Sequence, residues 1–247
     1  MTKTLSTRAW RRAAIIAVVT VAAGCASVPP RIDVSCGDAE RVARDALDRI
    51  GAIEATPEGC SSAAWGQECQ RQRDRVRRLA VSCATHAAVL VADAWLSYDD
   101  HDVERARDDL DAALALPIAQ PDAAVLRARL ALEDGDVAFA LRLSQEQLAR
   151  TPDHAGLHEV RAASLYAAGR LSDASTELAI AGKLGAPAWR VAYDQGLLAE
   201  ALGRSSDAAR QYEAALASRP GWPPAAGRLR ALEAAADATG TPEASAP

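Results

Sequence analysis

The sequence predicts an all-α protein made of stacked helix pairs. Alanine dominates the apolar residues of a chain that is 49% hydrophobic yet only 4% aromatic, with Phe139 its one phenylalanine and no asparagine at all. Strand cores are normally built from β-branched and aromatic residues, so this composition favours closely packed helices. Small residues also return every 34 positions from residue 87 onward, with Gly and Pro at the expected helix ends. A 25% charged fraction and a formal net charge of −5 over 247 residues suit a folded soluble or repeat chain and not a disordered one.

The first element is an address. Lys3, Arg8, Arg11 and Arg12 precede an apolar stretch, Ala13 to Ala23, that is about half the length needed to span a bilayer and ends at Gly24-Cys25. This pattern reads as a secretory signal peptide over residues 1–24. Val21-Ala22-Ala23-Gly24-Cys25 resembles a bacterial lipobox, which implies cleavage before Cys25 and lipidation of that residue. Ala22 stands where the family prefers Leu. By analogy with Gram-negative sorting, Ala26 in place of Asp implies delivery to the outer membrane, facing the periplasm. A lipid anchor with two or more chains holds a protein to a membrane without spanning it. Loss of residues 1–24 removes four basic side chains and no acidic one, so the formal charge moves from −5 to −9. That acidity speaks against nucleic acid as a partner. The one basic cluster, Arg71, Arg73, Arg75, Arg77 and Arg78, reads as a solvated helix face.

Residues 25–35 are then a lipidated tether and residues 36–86 an N-terminal helical unit. It holds Cys36, Cys60, Cys69 and Cys83, and an exported location makes two disulfides the expectation. Three pairings are possible. Residues 67–84 lack Gly and Pro and read as helix, which sets Cys69 and Cys83 about 21 Å apart, too far for a bond that needs Cα atoms within about 7 Å. A second helix over Asp38 to Ile50, antiparallel to the first, brings Cys36 opposite Cys83, and the Gly/Pro-bearing connection Gly51 to Gly66 lets Cys60 fold back onto Cys69. The expected pairs are Cys36–Cys83 and Cys60–Cys69. No Gly or Pro lies between Gly66 and His101, so a break near Thr85 and a continuous helix are both open.

The 34-residue step then links Ala94, Ala128, Ala162 and Gly196; His101, Gly135, Gly169 and Gly203; Ala106, Ala140, Ala174 and Ala208; Ala113, Gln147, Ala181 and Ala215; and Leu110, Ser144, Leu178 and Tyr212. Each copy reads as two helices. In the last, Trp189 to Leu202 is helix-forming, Gly203 supplies a left-handed stop, Ser205 and Ser206 offer N-caps, and Ala208 to Ser218 runs toward Pro220. Small residues are needed where helices approach at the short end of the usual separation. The pattern resembles the tetratricopeptide repeat (TPR) family over residues 87–220, in copies 87–120, 121–154, 155–188 and 189–222. The first-helix position that usually carries a large residue is Leu90, Ala124, His158 and Ala192, and copy 121–154 has the polar Ser144 and Gln147 in its second helix. Residues 223–237 suit the solvating cap helix that such arrays need, and residues 238–247 a disordered tail.

The resemblance implies a right-handed helical solenoid whose first helices line a concave face that holds extended or helical peptide segments. The lining positions fall on Val91, Trp95 and Tyr98; Val125, Arg129 and Leu132; Glu159 and Tyr166; and Arg190, Tyr193, Leu197 and Glu200. The Lys/Asn clamp of chaperone-binding members is not expected, because Lys is limited to Lys3 and Lys183. The chain has no GxSxG, P-loop or HExxH, so no catalytic residue, cofactor or metal is expected. His154 and His158 sit four apart, but loop and packing positions account for them; Asp99, Asp100, Asp102 and Glu104 read as a solvated turn before a helix. The expected function is a lipid-anchored adapter that docks a protein partner during assembly of an envelope machine such as a pilus or secretion system, as the similarly built pilotins do. The alternative is an accessory regulator of a cell-wall enzyme, or a weak enzyme that uses His158.

Overall fold

The computed structural model describes residues 36–239. The expectations for residues 1–24, Cys25 and the tether fall outside them. Eleven α-helices and one short 3-10 turn, Cys36–Asp38, are found among the described residues, and no strand. The first helix pair is α1 (Ala39–Glu54) and α2 (Gly66–Ser82); then come α3 (Ala87–Asp99), α4 (Val103–Leu114), α5 (Pro121–Glu133), α6 (Val137–Leu148), α7 (Ala155–Ala167), α8 (Leu171–Lys183), α9 (Ala188–Ala201), α10 (Ser205–Ser218) and α11 (Pro223–Thr239).

Neighbours in sequence pack in pairs, α3 on α4, α5 on α6, α7 on α8 and α9 on α10, and the first helices α3, α5, α7 and α9 also touch in series. The 34-residue columns supply the contact points. Ala94, Ala128, Ala106, Ala140, Ala113 and Ala208 are completely buried, and Leu110, Leu178 and Tyr212 fill the space beside the second-helix alanines with 1% exposure or less. Gly135, Gly169 and Gly203 take positive φ of 81°, 74° and 70°, the left-handed conformation that ends a first helix without a Cβ penalty.

Several sequence expectations are corrected by packing. The α1 helix runs one turn past Gly51 because Ile50 and Ile53 are both buried against its partner. The α2 helix stops at Ser82, and His86 begins α3 in an extended conformation, so the chain breaks over residues 83–86. The serines expected to cap α10 do not cap it: the helix starts at Ser205 itself, with Arg204 at the cap position and no side-chain bond to the backbone. Ser144 and Gln147 do not weaken α6. The Ser144 hydroxyl donates to the Ala140 carbonyl at 2.8 Å, and Gln147 accepts from the Gln120 amide at 3.2 Å, tying α6 to the start of α5. The α11 helix reaches Thr239, two residues into the expected tail.

Cys36 is bonded to Cys83 with Cα atoms 5.6 Å apart, and Cys60 to Cys69 at 5.8 Å. The first bond joins the start of α1 to the end of α2, so the two helices are antiparallel. Their core does not stand apart from the repeats: Ala39, Ala43, Ile50, Val76 and Leu79 belong to the same buried cluster as Leu90, Leu96, Leu110 and Leu126. The hairpin therefore closes the N-terminal end of the stack, and α1 touches α3 as one first helix touches the next. No described helix is long and apolar enough to cross a membrane.

Candidate binding groove

The first helices leave a trough along one side of the stack. Its main part, about 510 Å³, is lined by Leu47 of α1, Val91 and Trp95 of α3, Val125 and Arg129 of α5, Glu159 of α7 and Arg190 of α9. A recess of about 260 Å³ continues it toward Glu40 and Arg44 on α1, and one of about 310 Å³ continues it past Trp189, Tyr193 and Asp194 to Trp222. The walls at the α1–α5 end combine apolar side chains with Glu40, Arg44, Gln120 and Asp122, and those at the α9–α11 end are aromatic. Tyr193 packs against Trp222 at 4.7 Å and against Tyr212 at 5.6 Å, while Trp189 meets Trp222 at 4.6 Å and carries the Arg219 guanidinium 4.4 Å above its ring.

The floor between those ends is charged. Arg190 donates twice to the Glu159 carboxylate, at 3.0 Å for each bond, and Glu159 is almost fully buried. Bidentate pairing of this kind gives each oxygen of a buried carboxylate a charged donor. Arg129 and Asp194 line the same space, and among the described residues neither has such a partner. Burial and the nearby Arg190 charge lower the Arg129 pKa. Burial, then the Glu159 charge, raises that of Asp194 to about 7. Among the described residues, the floor thus offers one guanidinium free of direct ion pairing beside a carboxyl whose pKa burial raises to about 7.

The sequence-derived lining divides by position. The fifth and ninth residues of the early copies, with Glu159, Arg190 and Tyr193, meet along the trough. Tyr166 and Leu197 line a separate small recess of about 60 Å³ near Asp194. Tyr98, Leu132 and Glu200, each the twelfth residue of its copy, lie outside the trough because they fall at the far end of the first helix. The Tyr98 hydroxyl donates to Glu133 at 2.6 Å, Leu132 packs into the core beside Leu157, and Glu200 pairs with Arg228 of α11 at 3.1 Å. Missed by sequence were Leu47, which lies outside the repeats, and Trp189, Asp194 and Trp222, which the repeat pattern does not place on the lining. Asp122 and Gly156 also line the trough.

His154 and His158 are both engaged in hydrogen bonds within the fold. His154 caps α7, its Nδ1 accepting from the Leu157 amide at 3.2 Å, and its Nε2 lies 3.2 Å from Asp122. His158 is buried with both ring nitrogens engaged, Nδ1 with Glu177 at 2.6 Å and Nε2 with the Pro152 carbonyl at 2.9 Å. Asp102 caps α4 by accepting from the Arg105 amide at 3.3 Å. No group of three or more metal-binding side chains occurs among the described residues.

The fold has solved counterparts. It superposes on a thermophilic TPR protein from Thermus thermophilus with a TM-score of 0.62 at 16% identity, covering 81% of this chain and 100% of that one. A chain of the APC/C hetero-tetramer Cut9-Hcn1 gives 0.62 at 10% identity over 85% of this chain and 44% of that one. MamA 41-end from Desulfovibrio magneticus RS-1 gives 0.50 at 14% identity, over 74% and 97%. No family model matches the sequence, and no curated protein matches it. At these identities the likeness is one of fold: the described chain is a tetratricopeptide-repeat solenoid that opens with a disulfide-stapled helical hairpin.

Proposed function

We propose that the chain is an adapter that holds an extended or helical segment of a protein partner in the trough formed by its first helices. The observation that carries this reading is continuity. Apolar side chains from α1, α3 and α5, a charged floor from α5, α7 and α9, and an aromatic end at α9–α11 succeed one another along one face. A small-molecule pocket would be enclosed and compact; a surface that spans so many helices suits a chain segment. The lipobox-like Val21 to Cys25 supports placement of the adapter by a lipid anchor on the periplasmic face of the outer membrane, in the assembly of an envelope machine such as a pilus or secretion system. Recovery of a partner from cell envelopes tests the docking part: Trp95→Ala and Tyr193→Ala should each lower recovery at least fivefold, and unchanged recovery with both would remove the trough from the account. Palmitate labelling tests the anchor. It should be present in the wild type and lost in Cys25→Ala.

A further inference from the structure

Charge is unevenly satisfied along the trough. Of the guanidiniums that line it among the described residues, Arg44 holds Glu40 at 2.7 Å and Arg190 holds both oxygens of Glu159 at 3.0 Å, whereas Arg129 has no carboxylate within ion-pair distance. Arg129 stands where the main trough meets the aromatic recess and borders both. Its pKa is lowered by burial and then by the Arg190 charge, as befits a cation that has lost water without gaining a direct partner. A carboxylate brought in by a docked segment supplies that partner, through charge-assisted hydrogen bonds roughly twice as strong as neutral ones. The trough continues on both sides of Arg129, toward Val91 and Leu47 and toward Trp189 and Trp222. The group that fits is therefore a side chain along the segment and not a chain end.

One acid of the fold shares that place. Asp194 of α9 lines the aromatic recess with Arg129, and the charges that act on it are Glu159 from α7, Arg129 from α5 and Arg190 from its own helix. Tyr166 of α7 and Leu178 of α8 line the small recess on which Asp194 also borders. We propose that the trough floor seats one side-chain carboxylate of an acidic partner segment on Arg129, and that Asp194, when ionised, opposes it, so that docking is tighter at mildly acidic than at mildly alkaline pH. The charges support both halves. Arg129 and Arg190 against Glu159 leave the floor one positive charge while Asp194 is protonated, and ionised Asp194 cancels it. Burial, then the Glu159 charge, raises the Asp194 pKa to about 7. The neutral form therefore prevails at pH 6 and the anion at pH 8, and a bound carboxylate, which favours the neutral form, draws in a proton. A site that is competent in about nine molecules of ten at pH 6 and about one in ten at pH 8 loses affinity about tenfold over that interval. This seat serves a partner only if the trough is a peptide site, as proposed above, and it is independent of the lipid anchor.

The test pans a displayed library of random peptides on the immobilised full chain at pH 6. Peptides that are retained by the wild type and released by Trp95→Ala should carry an internal Asp or Glu, with apolar residues on one side and an aromatic or proline on the other. One of them, made with an amidated C-terminus and a fluorescein label, is then measured by anisotropy. It should bind about tenfold more weakly at pH 8 than at pH 6. Replacing its acid by the amide, or Arg129→Gln in the chain, should each weaken it at least tenfold at pH 6, and the two together little more than either alone. Asp194→Asn should bring the ratio between the two pH values to about twofold or less, with the helicity of both variants checked by circular dichroism. Retained peptides without an acid, equal binding at the two pH values, or a slope that persists in Asp194→Asn overturns the proposal; that last slope would belong to another group, such as the His154 imidazole farther along the wall. Acid-free peptides that Trp95→Ala releases would leave the docking surface intact and remove only its charge requirement, whereas no retained peptide at all would remove both.

Discussion

His101 occupies the position at which the other three copies carry Gly135, Gly169 and Gly203, and it adopts the same left-handed backbone, with φ of 63°. A side chain in that region costs about 1–2 kcal/mol that glycine does not, so His101→Gly should stabilise the fold by about 1 kcal/mol in denaturant unfolding, after the entropy that glycine adds to the unfolded chain. A second residue departs from the period through charge. Asp93 and Asp109 of the first copy stand where Arg161 and Glu177 form an ion pair at 3.0 Å in the third. Asp93 is fully buried and accepts from Arg105 at 2.7 Å, yet its second oxygen has no hydrogen-bond partner, and neither has Asp109 Oδ2, which lies 4.0 Å from Arg105 Nε. Burial, then the Asp93 charge, raises the Asp109 pKa from 3.8 to about 7. A raised carboxyl holds its proton in the folded state and releases it in the unfolded one, so this group's stabilisation is full below about pH 4 and is lost as pH rises toward 7. Asp109→Asn should therefore flatten the stability profile between pH 4 and 7 and raise stability by about 1–2 kcal/mol at pH 8. A wild-type profile with no slope there would contradict this.

Between helices, the column that reads Ala94, Ala128, Ala162 and Gly196 is explained by what faces it. Leu110 and Leu178 leave room for a Cβ in their own copies. Tyr212 does not: a Cβ built on Gly196 would stand 2.7 Å from its Cδ1 and nearer still to Cε1. Gly196→Ala should cost about 1–3 kcal/mol despite the better helix propensity of alanine. Gly196→Ala with Tyr212→Leu should recover most of it, because that pair restores the first copy's arrangement; additive losses would refute the steric account. The hairpin has its own dependence: opening Cys36–Cys83 by double serine substitution releases a loop of 47 residues and should cost about 4 kcal/mol in the chain-entropy account. The helix pairs were legible in the sequence because small residues must recur where helices meet, and that requirement leaves a period. The end of α1 was not, because Gly51 is a local stop that Ile50 and Ile53 override by burial. Trough membership was legible at Val91, Trp95, Val125, Arg129, Glu159 and Tyr193, the fifth and ninth residues of their copies, but not at Leu197, which lines a separate recess, nor at the twelfth residues Tyr98, Leu132 and Glu200, which turn toward Glu133, the core and α11. Leu47 carried no signal at all, since the α1–α2 hairpin does not share the 34-residue period.

For the molecule as a whole, the hairpin, the repeats and α11 make one scaffold: a buried cluster runs from α1 into α5, and further clusters carry the packing through α7 and α9 to α11. Each repeat supports its neighbour, so the trough is rigid only while the array is complete. Its sides differ in composition from its outer surface, where Arg210 and Asp207 form an ordinary exposed pair on α10. In the docking mode proposed above, partners bind on the first-helix side and not on this outer side. Site-directed photo-crosslinking in intact cells tests it most directly, with a photoreactive residue placed at Trp95 in the trough or at Arg210 outside it. A discrete crosslinked partner is expected from position 95 and none from position 210. A crosslink from 210 with none from 95 would contradict it.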